Sequence, residues 1–93
     1  MLRAPPKDPA EERFYGADWS DELGDDEIRS SAWAVSPAGG SNMIVFDSSF
    51  TDTTSIVWVA GGVAGTEYQL TNTIETRDGQ TRVRTLLVYC DAR

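Results

Sequence analysis

The sequence predicts a single all-β domain: a small sandwich of about six to seven short strands, preceded by an extended N-terminal arm. Three observations predict it. Apolar, β-branched and aromatic runs recur about every ten residues with turn residues between them. Thr66–Thr76 alternates apolar and polar side chains at the period of a half-buried strand. No stretch carries a long helical period, and no repeat of 20–50 residues suggests a solenoid. The 93 residues allow one core and leave no room for a deep cleft between domains.

Residues 1–13 hold three of the four prolines and are mostly polar. Such a segment cannot bury itself, so it reads as an arm that is either disordered or laid against a partner, with the sandwich occupying 14–93. Phe14, Tyr15, Trp19 and Leu23 are apolar anchors in an acidic stretch. The four-residue spacing of Trp19 and Leu23 allows a helical turn, but an edge strand through Phe14–Trp19 is preferred. Gly24-Asp25-Asp26 signals a turn. In Ile28–Val35, Trp33 and Val35 share a face, whereas Ile28 is out of phase and requires a bulge. Met43–Phe46 reads as a short buried strand, Asp47–Ser55 as a polar loop entering the next strand, and Ile56–Ala60 as a strand ended by Gly61-Gly62. Tyr68, Leu70 and Ile74 fall on one face of the following strand, with polar Asn72 between them. Asp78-Gly79 then turns a hairpin into Thr81–Cys90. Leu86, Val88 and Cys90 line one face of that last strand, and Val83, Leu87 and Tyr89 the other. Its C-terminal half is therefore expected to be covered on both sides.

Composition narrows the function. The net charge is −7, and it is uneven: residues 1–27 carry nine acids against three bases, the remainder six against five. An acidic chain repels a phosphate backbone, which argues against nucleic-acid binding. The longest apolar runs fall far short of a membrane span, and no signal peptide is visible. Cys90 stands alone and there is no histidine. The commonest general base and the commonest metal ligand are both missing, as is any disulfide framework. No enzyme activity, cofactor, metal or small-molecule substrate is expected. Asp18, Asp21, Glu22, Asp25, Asp26 and Glu27 lack the spacing of a calcium loop and read as a solvated acidic segment or a docking patch for a basic partner.

The remaining candidates are structural or interfacial. Trp33 and Trp58 suit the core, and Trp19, in the acidic segment, is the best surface anchor. Tyr68 opens a late strand after a glycine corner. Immunoglobulin-like sandwiches often place a tyrosine there, its hydroxyl bonded back to the corner, with a core residue at the position of Leu70. Arg77, Arg82 and Arg84 flank the final hairpin and read either as solvated charges or as contacts to the acidic segment of a neighbour. Lys7, Asp8 and Pro9 join the interface candidates if the arm lies on a partner.

Lys7-Asp8-Pro9, then D-W-S-D-x-L at Asp18–Leu23 and G-D-D-x-I-x-S-S-x-W at Gly24–Trp33, resemble small structural proteins of tailed bacteriophages described as fibre–tail adaptors. V-W-V-A-G-G-x-A-G-T-x-Y at Val57–Tyr68 and T-N-x-I-x-T at Thr71–Thr76 continue the likeness, which covers about residues 7–89. The stretch 36–46 departs from that pattern and is expected to serve a partner of its own. The resemblance implies an immunoglobulin-like β-sandwich, present in many copies in the virion and assembled in the bacterial host cytoplasm. It would sit at tail, neck or baseplate, link tail or neck to fibres or neighbouring structural proteins, and carry no catalytic residues. The alternative is a stand-alone immunoglobulin-like module that recognises a glycan or protein on the host surface.

Overall fold

In a computed structural model the described residues are 2–40 and 42–91. Met1, Ser41, Ala92 and Arg93, which fall in the expected arm, the 36–46 stretch and the end of the sandwich, lie outside them. The described residues form β1 (Leu2–Arg3), β2 (Arg13–Asp18), the helical turn α1 (Ser20–Leu23), β3 (Ile28–Ser36), β4 (Ile44–Phe50), β5 (Thr54–Ala60), β6 (Glu67–Thr76) and β7 (Thr81–Tyr89). The all-β sandwich predicted from the sequence is the observed architecture. One sheet runs β1-β7-β6-β3 and the other β2-β5-β4. All pairings are antiparallel except β1 with β7. Lettered from β2 as strand B, the sheets read B-E-D against G-F-C, the immunoglobulin arrangement. The leading strand lies beside G, and among the described residues none pairs with the outer edge of B.

Alternation explains which side of each strand faces inward. Tyr68, Leu70, Asn72, Ile74 and Thr76 of β6 are all buried, as are Leu86, Val88 and Cys90 at the end of β7. From the facing sheet come Tyr15, Val57 and Val59, joined by Met43 just before β4. A second cluster at the other end of the sandwich packs Ala17, Trp19, Leu23, Ile28 and Ile74, with Trp33 touching both clusters. The register of β3 shifts between Ile28 and Ser30. This bulge turns the out-of-phase Ile28 inward, where it is buried.

A polar network crosses this core. Trp19 Nε1 donates to Asn72 Oδ1 at 2.9 Å. Asn72 Nδ2 donates to Ser31 Oγ at 2.9 Å and to the Ala32 carbonyl at 3.0 Å. Ser31 and Ser55 share a hydroxyl bond of 2.6 Å, and Trp33 Nε1 donates to Ser55 Oγ at 2.7 Å. An indole N–H can only donate, so the amide oxygen of Asn72 must face Trp19. The network ties β6 and β3 of one sheet to β5 of the other, and every buried partner is satisfied.

Two local readings are corrected. The polar stretch after Phe46 is not a loop, because β4 continues through Asp47–Phe50 and β5 already begins at Thr54. Nor is Met43–Phe46 a buried strand, since Ile44 and Phe46 are about half exposed. Pairing with β5 holds these residues in an edge strand that local periodicity does not favour. A bulge between Val45 and Asp47 places Phe46 and Asp47 in sequence opposite one stretch of β5.

Candidate protein-docking site

The outer faces of the two sheets differ sharply. On the four-stranded sheet, the side chains opposite the core are largely threonine, serine, alanine, glutamine and glutamate, with Val83, Leu87 and Tyr89 standing apart. On the three-stranded sheet they are aromatic and aliphatic. Phe14 of β2 is paired with Trp58 of β5, and Trp58 with Asp47 of β4. Directly opposed residues of antiparallel strands point to the same side. Val57 and Val59 flank Trp58 and are buried, so Trp58, Phe14 and Asp47 face outward. Ile44, opposite Ala60, and Phe46, in the bulge, extend the patch. Phe14 is 58% exposed, Ile44 50%, Phe46 49% and Trp58 37%. The Phe14 and Trp58 rings meet with centroids 4.9 Å apart at 50°. At roughly half exposure, four large side chains of this kind present about 400 Å² of apolar surface, the size of patch that is often functional on a monomer. Asp47 sits in its midst, its carboxylate taking the Ser48 N–H at 2.9 Å. It joins no ion pair among the described residues.

The residues singled out from the sequence fall elsewhere. Trp19 is 1% exposed and is a core residue, so it offers no anchor to a partner; Trp58 takes the outward place instead. Lys7 is also fully buried. Its Nζ donates to the Gly61 carbonyl at 2.7 Å and to the Asp8 carbonyl at 2.8 Å. Burial holds this ammonium below the usual lysine range. Asp8 accepts the Ala10 N–H on its carboxylate and the Glu11 N–H on its carbonyl. The turn containing Pro9 is thereby closed against the β5–β6 corner. The arm itself lies along the chain's own last strand: Ala4 N–H donates to Leu87, Lys7 N–H to Tyr89, and Asp91 N–H to Lys7.

The three arginines contact the acidic segment of their own chain. Arg84 donates to the Asp18 carbonyl at 2.7 Å, pairs with Glu22 at 3.1 Å and stacks over the Trp19 ring at 4.3 Å. Arg82 approaches Glu22 at 3.7 Å. Arg77 donates to the Asp25 carbonyl at 2.7 Å and pairs with Glu27 at 3.4 Å. A hydrogen bond from the Thr76 hydroxyl, then the N–H groups of Glu27 and Asp78 and the charge of Arg77, hold the Asp26 carboxyl below its usual range. Asp18 is lowered by bonds from the Ser20 N–H and hydroxyl.

Tyr68 is buried, and its hydroxyl accepts the Val63 N–H at 2.9 Å while donating to Asn42 Oδ1 at 2.8 Å. It closes the corner formed by Gly61 and Gly62, whose φ values are 74° and 114°. Replacing Gly62 is costly, because an added Cβ would stand 2.9 Å from Cys90 Sγ in a backbone region that other residues rarely adopt. Leu70 is fully buried, Trp33 is half-buried, and burial pushes the Cys90 thiol up.

Sequence reasoning missed the outward face. The signal lay in Ile56–Ala60: the two valines flanking Trp58 mark one face and leave the indole on the other. No curated protein matches the chain in sequence. Residues 7–89 match the family described as podophage GP4 fiber-tail adaptor protein gp77. That span contains both core clusters apart from Cys90, the glycine corner and the Lys7 turn, and the chain is a member of this family of phage structural adaptors.

Proposed function

We propose that the protein is a non-enzymatic adaptor in the virion, joining the tail to fibres by seating the outer face of its three-stranded sheet on a neighbouring structural protein. The observation that carries this reading is the half-exposed cluster of Phe14, Trp58, Phe46 and Ile44 around Asp47, on a sheet whose other side is a satisfied core. Asp18 and Asp47 are the acids on that face, and no base stands among the outward residues of β2, β5 and β4. The complementary partner is an apolar surface edged by arginine or lysine. Two identical faces would bring Asp47 against Asp47, which disfavours self-pairing. The patch supplies about half of the ~800 Å² per partner of an ordinary stable interface, so several copies acting together fit it well. The sequence adds no histidine, and its lone thiol is buried.

The test is incorporation into particles. Phage lacking the gene are complemented with wild-type protein or with Trp58→Ser and Phe46→Ser variants, and purified particles are assayed by quantitative mass spectrometry. Wild type in the particles, with folded variants missing from them, supports the proposal. Equal incorporation of all three refutes the docking face, and absence of wild type refutes the virion role. The alternative, glycan recognition by a stand-alone module, draws on the same exposed aromatics. The 50° tilt between Phe14 and Trp58 gives a sugar one ring to stack on rather than a flat platform. A glycan array with Trp58-dependent hits would favour it.

A further inference from the structure

We infer that the open edge of β2 is a vacant strand position that accepts an extended segment of another virion protein. The inference rests on the adaptor reading and supplies a mode of attachment for it.

The direction of the backbone groups follows from the hydrogen bonds at the end of the strand. Trp19 N–H donates to Thr53 C=O at 2.8 Å, continuing the β2–β5 ladder. Backbone groups of successive residues in a strand point to opposite sides, so those of Ala17 point toward β5 and those of Phe14, Gly16 and Asp18 point away. The Asp18 carbonyl confirms the direction, since it is taken by Arg84 from the other sheet. Phe14 and Gly16 are left presenting their N–H and C=O groups at an edge beside which no strand runs among the described residues. An immunoglobulin sandwich of the antibody type fills that place with its first strand. Here the first strand has gone to β7.

The space beside this edge is shaped to match. A cavity of about 390 Å³ opens there, its walls including Arg3, Pro5, Arg13, Phe14, Gly16 and Leu86. Arg3 is already paired with Glu67 at 2.8 Å, whereas Arg13 donates to the Pro6 carbonyl at 3.2 Å and has Glu11 only at 3.9 Å. The groove thus combines apolar walls with a guanidinium that has no close carboxylate partner, in a molecule of net charge −7. A strand bearing apolar side chains and a carboxylate complements it. A second copy does not: pairing β2 with itself adds further arginines to the groove, between two like-charged molecules. Strand addition to an exposed edge gains main-chain hydrogen bonds and pockets for alternate side chains together. It also enlarges the interface begun by Phe14, which belongs to both surfaces.

Gly16 gives a clean test. Its φ is not in the left-handed region, and an added Cβ would meet nothing closer than the Ser55 carbonyl oxygen at 3.5 Å. Gly16→Ala is therefore tolerated. Gly16→Pro removes an N–H that points away from β5, the situation in which edge strands accept proline. Both variants are used to complement phage lacking the gene, and the amides of wild-type protein are followed by hydrogen exchange, free and in purified particles. The expected result is slowing of exchange at Phe14 and Gly16 by about 100-fold or more in particles. Gly16→Pro, with a melting temperature close to that of Gly16→Ala, incorporates at roughly a tenth of its level or less. Unprotected Phe14 and Gly16 amides in particles, with equal incorporation of the two variants, overturn the inference while leaving the adaptor role standing. A pure-protein oligomer that Gly16→Pro dissolves overturns it too, by making a second copy the occupant. If Gly16→Pro melts far below Gly16→Ala, the exchange result alone decides.

Discussion

Asn72→Leu removes the centre of the network that joins the two sheets. Leucine keeps the branch point and heavy-atom count of asparagine, though its methyl groups are bulkier and add some crowding to the polar loss. Trp19 Nε1 loses its acceptor at 2.9 Å, and Ser31 Oγ and the Ala32 carbonyl lose donors at 2.9 and 3.0 Å. Asn72 and Trp19 are buried, so water cannot replace the lost partner of the indole. A buried donor left unpaired costs about 1–3 kcal/mol, and the carbonyl adds to it. The added apolar contact of leucine offsets part of this, giving a net loss of about 2–4 kcal/mol. In a domain of this size that lowers the melting temperature by roughly 10–25 °C. Urea denaturation followed by tryptophan fluorescence reads both the stability and the environment of Trp19. A loss below about 0.5 kcal/mol, with unchanged fluorescence, refutes the claim that this network couples the sheets.

Other substitutions and conditions follow from the same geometry. Gly62→Ala sets a methyl group 2.9 Å from Cys90 Sγ at φ 114°, and a loss of about 2–4 kcal/mol is expected in equilibrium denaturation; a loss under 1 kcal/mol contradicts the corner geometry. Lys7 has its folded-state pKa lowered by burial, so the unfolded chain holds that proton more tightly and stability gains as pH rises toward the ordinary lysine value near 10.4. Relative to Lys7→Met, wild type is expected to become more stable between pH 7 and 10, and parallel curves would show that Lys7 titrates freely. Asp18 and Asp26 have lowered folded-state values, so their contribution is present above about pH 4 and is lost as pH falls through their folded pKa. Asp26→Asn is expected to flatten the acid limb of a stability–pH profile, and an unaltered limb counts against it. Trp58→Ser is expected to change stability far less than Trp19→Ser, because the first ring already faces solvent; equal losses would put both rings in the core.

What was legible in the sequence was whatever short-range pattern decides. The alternation of Tyr68, Leu70 and Ile74, the turn at Asp78-Gly79 and the phase slip at Ile28 each have a local physical cause, and each marks a feature of the sandwich. Long-range pairing decides the rest. Asn72 looks like a polar break in an apolar face until Trp19, 53 residues earlier, is brought against it. Arg77, Arg82 and Arg84 carry no sign of whether their acids lie in the same chain or another; the packing of α1 and the Gly24–Glu27 turn beside the last hairpin answers that. The strand through Asp47–Phe50 exists because β5 pairs with it, not because Asp-Ser-Ser favours strand. Trp19 and Trp58 are equally hydrophobic, and only the side of the three-stranded sheet each faces separates core from docking face.

Hydroxyl-radical footprinting of the protein, free and within purified phage particles, tests the docking face most directly. Oxidation of Phe14, Phe46 and Trp58 is expected to fall by about tenfold in particles, while Tyr89 on the opposite sheet keeps its free-protein rate. Unchanged oxidation of Trp58 in particles that contain the protein would contradict the account.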